Sequence, residues 1–274
     1  MNTTGLKRDI IDKYYTKGNI VDLCLQIVKE NIDIDPKNDL VIEPSAGNGS
    51  FIMGLKNLCK NCKFYDIQPE HKEIEEKDYL NLDENFNPSG QIKKIHVIGN
   101  PPFGRQSSTA IKFIKKSCQI ADTICFILPK SFKKESLKDK IPQNFHLVAE
   151  HDLPNDSFLV NNINHNVPCI FHVWEKREYE RGKLEKLQPM GYSFVKKDEQ
   201  PHISFRRVGV NAGIIDIEIS SKSIQSHYFI KFDKQPNTSL LDKLKNVKFE
   251  FNNTVGPRSI SKQELIKNYN NLLE

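Results

Sequence analysis

Between residues 40 and 174, short apolar runs alternate with segments whose apolar positions recur at helical spacing. That alternation is the pattern of a mostly parallel sheet covered by helices on both faces. It predicts strands near Leu40-Val41-Ile42-Glu43, Lys63-Phe64-Tyr65-Asp66, Ile95 to Gly99, Thr123 to Leu128, Phe145 to His151 and Val167 to Trp174. Ile20, Leu23, Cys24, Ile27 and Val28 predict a helix over 19–31. A second helix is expected over 107–120, with Ser107 or Ser108 as its cap.

The last two runs are separated by Leu153 to Asn166, which has no helical pattern and includes the Asn-rich stretch 161–166. A connection without a helix suits an antiparallel pair better than a parallel crossover, so the final strand is expected antiparallel. The charged stretch after Trp174 reads as the end of the sheet and, over 179–190, as a linker. Beyond it Ile203-Ser204-Phe205, Ile214 to Ile219 and Tyr228 to Phe232 alternate as strands do, and Lys262 to Leu272 reads as a closing helix. The expectation is an α/β, doubly wound Rossmann-like domain over 1–178 and a small α+β module over 191–274.

Composition narrows the class. At 274 residues the chain is long enough for one large domain or for a domain with an appendage. No run of about 18 apolar residues exists, and Met1 to Asp9 lacks the apolar centre of a signal peptide, so a soluble, intracellular protein with no membrane partner is expected. The six scattered cysteines suit reduced, buried thiols. Cys59-Lys60-Asn61-Cys62 stands alone, without a second pair or a histidine cluster, so no metal site is expected. The net charge of +5 is unevenly placed: residues 1–174 hold 22 basic and 22 acidic residues, and residues 175–274 hold 18 and 13. A basic appendage beside a neutral body suits a phosphate-backbone partner, although an ordinary solvated surface accounts for the same excess.

Candidate chemistry sits at the predicted strand tips. Asn100-Pro101-Pro102-Phe103 ends an apolar strand. The prolines fix φ and push Asn100 out of the helical region, making a rigid tip that holds an amide, a carbonyl and an aromatic together. A plain strand-to-turn break is the competing account. Glu43-Pro44-Ser45-Ala46-Gly47-Asn48-Gly49-Ser50-Phe51 follows the first strand, its glycines permitting a tight turn close to a ligand. The spacing departs from GxGxxG and no Lys-Ser or Lys-Thr follows, which argues against a phosphate loop. Asp66 ends the next strand, where a carboxylate can accept both hydroxyls of a ribose. Asp78, in Asp78-Tyr79-Leu80, follows twelve residues later. Polar residues at successive tips share one crevice in a doubly wound sheet.

These residues resemble the amino-methyltransferases that use S-adenosylmethionine, especially the adenine-N6 type, over about residues 13–174. The resemblance implies that Glu43 to Phe51 (Glu43, Pro44, Ser45, Ala46, Gly47, Gly49, Phe51) forms the methionine-binding motif. By the same likeness Asp66, with Ile67, is the ribose acid; Asp78, with Tyr79, recognises the cofactor's adenine; and Asn100-Pro101-Pro102-Phe103 is the catalytic loop, with Asn100 also at the cofactor. Lys13-Tyr14-Tyr15-Thr16 is similar to the segment that closes over the cofactor, which places Tyr15 and Thr16 in its site. The motif order resembles members whose target recognition is carboxy-terminal.

The expected reaction is methylation of the N6 amino group of adenine in DNA or RNA. The Asn100 side-chain oxygen and the Pro101 carbonyl each accept one N–H of the target nitrogen, whose lone pair is otherwise conjugated into the ring. Phe103 stacks on the base, a contact worth about 1–3 kcal/mol. Phe158 is a candidate for the opposite face of the base, with core packing as its alternative. Arg206 and Arg207, with the segment 256–262, favour nucleic acid over protein. The tetrapeptide is also similar to that of enzymes methylating a glutamine amide in proteins or guanine N2 in RNA, and a non-catalytic partner subunit is a further alternative. A nicotinamide dehydrogenase fits the fold but gives the Asn-Pro-Pro-Phe tip no role.

Overall fold

The computed structural model describes residues 14–83, 92–160, 163–182, 185–249 and 258–273. Lys13, Gly256 and Pro257, which belong to segments singled out above, lie outside them, as do Asn161 and Asn162. The chain divides into two compact units, 1–183 and 184–274.

In chain order the first unit contains β1 (Tyr15–Thr16), α1 (Gly18–Asn31), β2 (Leu40–Glu43), α2 (Ile52–Leu58), β3 (Asn61–Asp66), β4 (Glu75–Glu76) and β5 (Ile95–Gly99). It continues with α3 (Ser108–Ile120), β6 (Thr123–Pro129), α4 (Glu135–Lys138), β7 (Phe145–Asp152), β8 (Phe158–Val160), β9 (Ile163–His165) and β10 (Cys169–Lys176). Seven of these strands form one sheet in the order β4-β3-β2-β5-β6-β10-β7. The pairings from β4 through β6 are parallel. β10 inserts antiparallel between β6 and β7. The fold is therefore the expected doubly wound one, with the final strand reversed.

Two-residue alternation explains how the sheet is covered on both faces. Val41, Ile98, Cys125 and Ile127 pack on one side with Ile20, Cys24 and Val28 of α1. Leu40, Ile42, Ile124 and Phe126 pack on the other with Phe113 and Ile114 of α3. Burying a side chain of this size contributes about 1.5–3 kcal/mol. All six cysteines are free, as a reduced protein requires. Burial pushes the Cys62 thiol up to about 12 and raises that of Cys59. Among the described residues no helix is long and apolar enough to cross a membrane.

Two local expectations are corrected. Ser107 precedes α3 in a left-handed conformation (φ 60, ψ 19) and makes no side-chain cap bond; the helix begins at Ser108. The stretch 153–166 is not only loop, since β8 and β9 form a hairpin that carries β1 on its outer edge. The two units meet within the stretch 179–190, whose near end is tied to the first unit: Arg181 donates to the Ile141 carbonyl at 2.9 Å and lies over the Trp174 ring. At its far end Met190 and Gln188 bond Asn270.

The second unit contains β11 (Tyr192–Val195), β12 (Ile203–Arg206), β13 (Ile215–Asp216), β14 (His227–Phe232), α5 (Thr238–Lys245) and α6 (Lys262–Leu273). Its antiparallel sheet runs β11-β14-β12-β13. The strand expected over 214–219 shrinks to Ile215–Asp216, because the Asp216 side chain accepts the Glu218 N–H and turns the chain away from its partner. β11 and α5 went unassigned in the sequence. α5 is capped by Asn237, whose side chain accepts the Leu240 N–H at 2.8 Å.

Candidate active site

β2 is the switch point of the sheet: its neighbours β3 and β5 lie on opposite sides of it. Side chains at the carboxyl ends of these three strands converge, as in other open α/β sheets. A cavity of about 350 Å³ opens there. Its wall includes Pro44, Ser45 and Gly47 after β2, Asp66 and Ile67 at the end of β3, and Asn100, Pro101, Pro102 and Phe103 after β5. Tyr15, Asp78 and Tyr79 complete the predicted set that lines it.

The turn after β2 is built on Asp66. Gly47, at φ +53, donates its N–H to Asp66 Oδ2 at 2.8 Å, and Gln68 donates to Oδ1 at 2.8 Å. The Ala46 N–H bonds the Tyr65 carbonyl at 2.9 Å, fastening the same turn to β3. Asp78 caps the short turn that follows it, accepting from the Leu80 N–H and from Asn81 Nδ2. Tyr79 is buried, its hydroxyl 2.9 Å from Ser117 Oγ and its ring stacked on Phe113 at 5.7 Å.

At the Asn100–Phe103 corner the Phe103 carbonyl accepts the N–H groups of Thr109 and Ala110, so the loop itself caps α3. Gly104 takes φ +67, and a Cβ there would collide with the Thr109 side chain. Asn100 Nδ2 donates to the Tyr14 carbonyl and to Thr16 Oγ1, each at 3.2 Å. Asn100 Oδ1 is buried with no partner. An unpaired buried acceptor costs about 1–3 kcal/mol, a cost that a ligand's N–H would offset.

Several expected site residues stand elsewhere. Glu43 is 2% exposed and does not line the cavity; burial, aided by the Asp66 charge, holds its carboxyl well above the usual range, and Oε2 has no partner. Ala46 and Phe51 belong to the apolar core, and Gly49 faces Ile52 and His71. Thr16 is buried and is not among the residues lining the cavity. Phe158 has no exposed surface and packs edge-on against Tyr14 at 6.2 Å, so core packing, the alternative reading, describes it and it offers no ring face to a base. Arg206 Nε bonds the Val208 carbonyl. Arg207 lies over the Tyr228 ring and donates to the Gln225 carbonyl at 2.7 Å, so both arginines are partly committed inside their own unit.

Sequence reasoning missed other wall residues. Gln68, Glu70 and Lys77 lie between the two predicted acids. Tyr15 donates its hydroxyl to Glu70 at 2.7 Å; burial and this carboxylate push the phenol up to about 12. Thr109 and Phe113 come from the α3 face following the Asn100–Phe103 loop, where their four-residue spacing was the available signal. Among the described residues no group of three or more His, Cys, Asp or Glu side chains converges as a metal site would require.

A mostly parallel, doubly wound sheet with one reversed strand and a cavity at its switch point defines a Rossmann-like methyltransferase fold. Residues 36–177, more than half of the chain, match the family described as the EDM2 methyltransferase-like domain, and the chain belongs to that family. No curated protein matches it. Among solved structures it is similar to a Pyrococcus horikoshii protein described as a candidate RNA methyltransferase, with 16% identity and a TM-score of 0.48 over 63% of this chain and 92% of that one. It is also similar to the 23S rRNA methyltransferase ErmE, with 14% identity and a TM-score of 0.44 over 61% and 71%. A third likeness is to the N-methyltransferase NodS of Bradyrhizobium japonicum, with 11% identity and a TM-score of 0.39 over 58% and 96%.

Proposed function

We propose that this protein methylates the exocyclic N6 amino group of adenine in nucleic acid, with S-adenosylmethionine as methyl donor. The observation that carries the reading is Asn100 in the wall of the switch-point cavity, its Oδ1 buried without a partner while Nδ2 donates to the Tyr14 carbonyl and Thr16 Oγ1. When bound, S-adenosylmethionine supplies an electrophilic methyl group on a sulfonium. Asp66 at the end of β3 would accept the ribose hydroxyls, Asp78 the adenine amino group, and the turn around Gly47 would hold the methionine end. The two carboxylates lining the cavity, Asp66 and Asp78, suit the molecule's ribose hydroxyls and adenine amino group, which are hydrogen-bond donors.

Asn100 Oδ1 and the Pro101 carbonyl each accept one N–H of the target nitrogen. That pairing draws its lone pair out of conjugation and stabilises the positive charge that develops on it, which is binding strengthened in the transition state. Phe103 supplies a face for the base, and a base within a duplex must first leave the stack. The second unit carries a cleft lined by Lys196, Lys197, Asp198 and Lys262 with Phe194 and Tyr228, in which Lys197 Nζ already donates to the Ser220 and Lys222 carbonyls. Basic side chains interleaved with aromatics suit single-stranded nucleic acid.

The test incubates the protein with methyl-labelled S-adenosylmethionine and separate DNA, RNA and protein pools, then digests whichever pool is labelled. N6-methyladenine is the expected product. Label in N2-methylguanine or in a glutamine amide would move the target to the other planar nitrogens. Cofactor binding with no labelled pool would make the protein a non-catalytic partner.

A further inference from the structure

A carboxamide has two orientations of nearly identical shape, related by a half-turn that exchanges oxygen and NH2. Only one offers the target amino group an acceptor; the other offers a donor, which repels its N–H bonds. Something in the fold must choose between them. The Tyr14 main-chain carbonyl, 3.2 Å from Asn100 Nδ2, can accept and cannot donate, so it rejects the wrong orientation. Thr16 Oγ1, at the same distance, takes the second Nδ2 hydrogen.

Thr16 is itself held in place. It is 6% exposed, and β1 pairs antiparallel with β8 in a register that sets Thr16 opposite the fully buried Phe158. Resting on the reading of Asn100 as the group that grips the target, we propose that Thr16 is a positioning residue. With the Tyr14 carbonyl it locks the Asn100 amide so that Oδ1 remains the free acceptor. The segment 14–16 thereby acts on the catalytic corner as well as bordering the cavity.

The test compares Thr16→Val, which keeps shape and loses the acceptor, with Thr16→Ser, which keeps the acceptor. Three quantities are read: kcat, S-adenosylmethionine affinity by calorimetry, and hydrogen exchange of the Asn100 side-chain NH2 by NMR, assigned through its loss in Asn100→Ser. Thr16→Val is expected to lower kcat by about tenfold or more and to speed NH2 exchange, with affinity changed by less than about twofold; Thr16→Ser restores both. Should Thr16→Val fold poorly, Thr16→Ala gives the same comparison. Unchanged exchange and unchanged kcat overturn the proposal, as does weakened cofactor binding with a wild-type kcat at saturation. Altered exchange in a protein whose wild type transfers no methyl group would uphold the lock and overturn the proposed function instead.

Discussion

Gly47 donates its backbone N–H to Asp66 Oδ2 at 2.8 Å, so one carboxylate both shapes the turn after β2 and faces the cavity. The second oxygen is occupied in the same way by Gln68. The shape of the turn and part of the cavity wall thus depend on a single side chain.

Asp66→Ala is expected to weaken S-adenosylmethionine binding by at least about tenfold and to lower the melting temperature, because hydrogen bonds to a charged group are worth about 1.5–3 kcal/mol each. Calorimetry and thermal denaturation check both effects. A wild-type dissociation constant would place the ribose elsewhere.

Asn100→Ala should abolish methyl transfer while leaving cofactor binding largely intact, since the amide's bonds to the protein run to Tyr14 and Thr16. Asn100→Asp keeps an acceptor but sets a carboxylate oxygen against the Tyr14 carbonyl. A loss of at least about a hundredfold in single-turnover rate is expected there too, within the range seen when one preorganised group is lost. Unchanged turnover in the alanine variant would remove Asn100 from the reaction.

Glu43 gives a pH dependence with a definite sign. Its folded pKa is raised above the ordinary value near 4.5 by burial. Stability from the uncharged carboxyl is therefore complete below that value and is lost as pH rises through the folded pKa. Relative to Glu43→Gln, the wild type should lose melting temperature as pH rises above the ordinary carboxyl value of 4.5. Parallel pH profiles would mean that the carboxyl is charged and paired.

Glu150 and His172 have the opposite sign. His172 Nδ1 accepts from Trp174 Nε1 at 3.3 Å, which leaves Nε2 to donate to Glu150 Oε2 at 2.9 Å. That hydrogen bond, with Lys138 nearby, holds Glu150 down at about 2, and burial lowers the His172 pKa. Both groups have depressed values, so their contribution is present above the ordinary pKa values and is lost as pH falls through the folded ones. Glu150→Gln should lower the melting temperature at neutral pH and lose less of it on acidification than the wild type does.

Much of the first unit is legible because its signals are local. Val41 and Ile42 face opposite sides of the sheet by simple alternation, and the helix-free connection before β10 announces its reversal. The second unit is less so. β11 is four residues long, and β13 is cut short by a side-chain turn that no periodicity reports.

The sequence alone determined which strand tips carry polar groups, because the apolar runs of β2, β3 and β5 end at or just before Glu43, Asp66 and Asn100. Only the tertiary structure decided which of those groups reach the cavity: Asp66 and Asn100 line it, whereas Glu43 lies behind it. It alone also decided how the Asn100 amide is turned, since the Tyr14 carbonyl and the Thr16 hydroxyl that hold it arrive from a strand more than eighty residues earlier. The physical reason is that alternation fixes a side chain's face from its immediate neighbours, whereas a hydrogen-bond partner supplied by a distant segment exists only after the chain has folded.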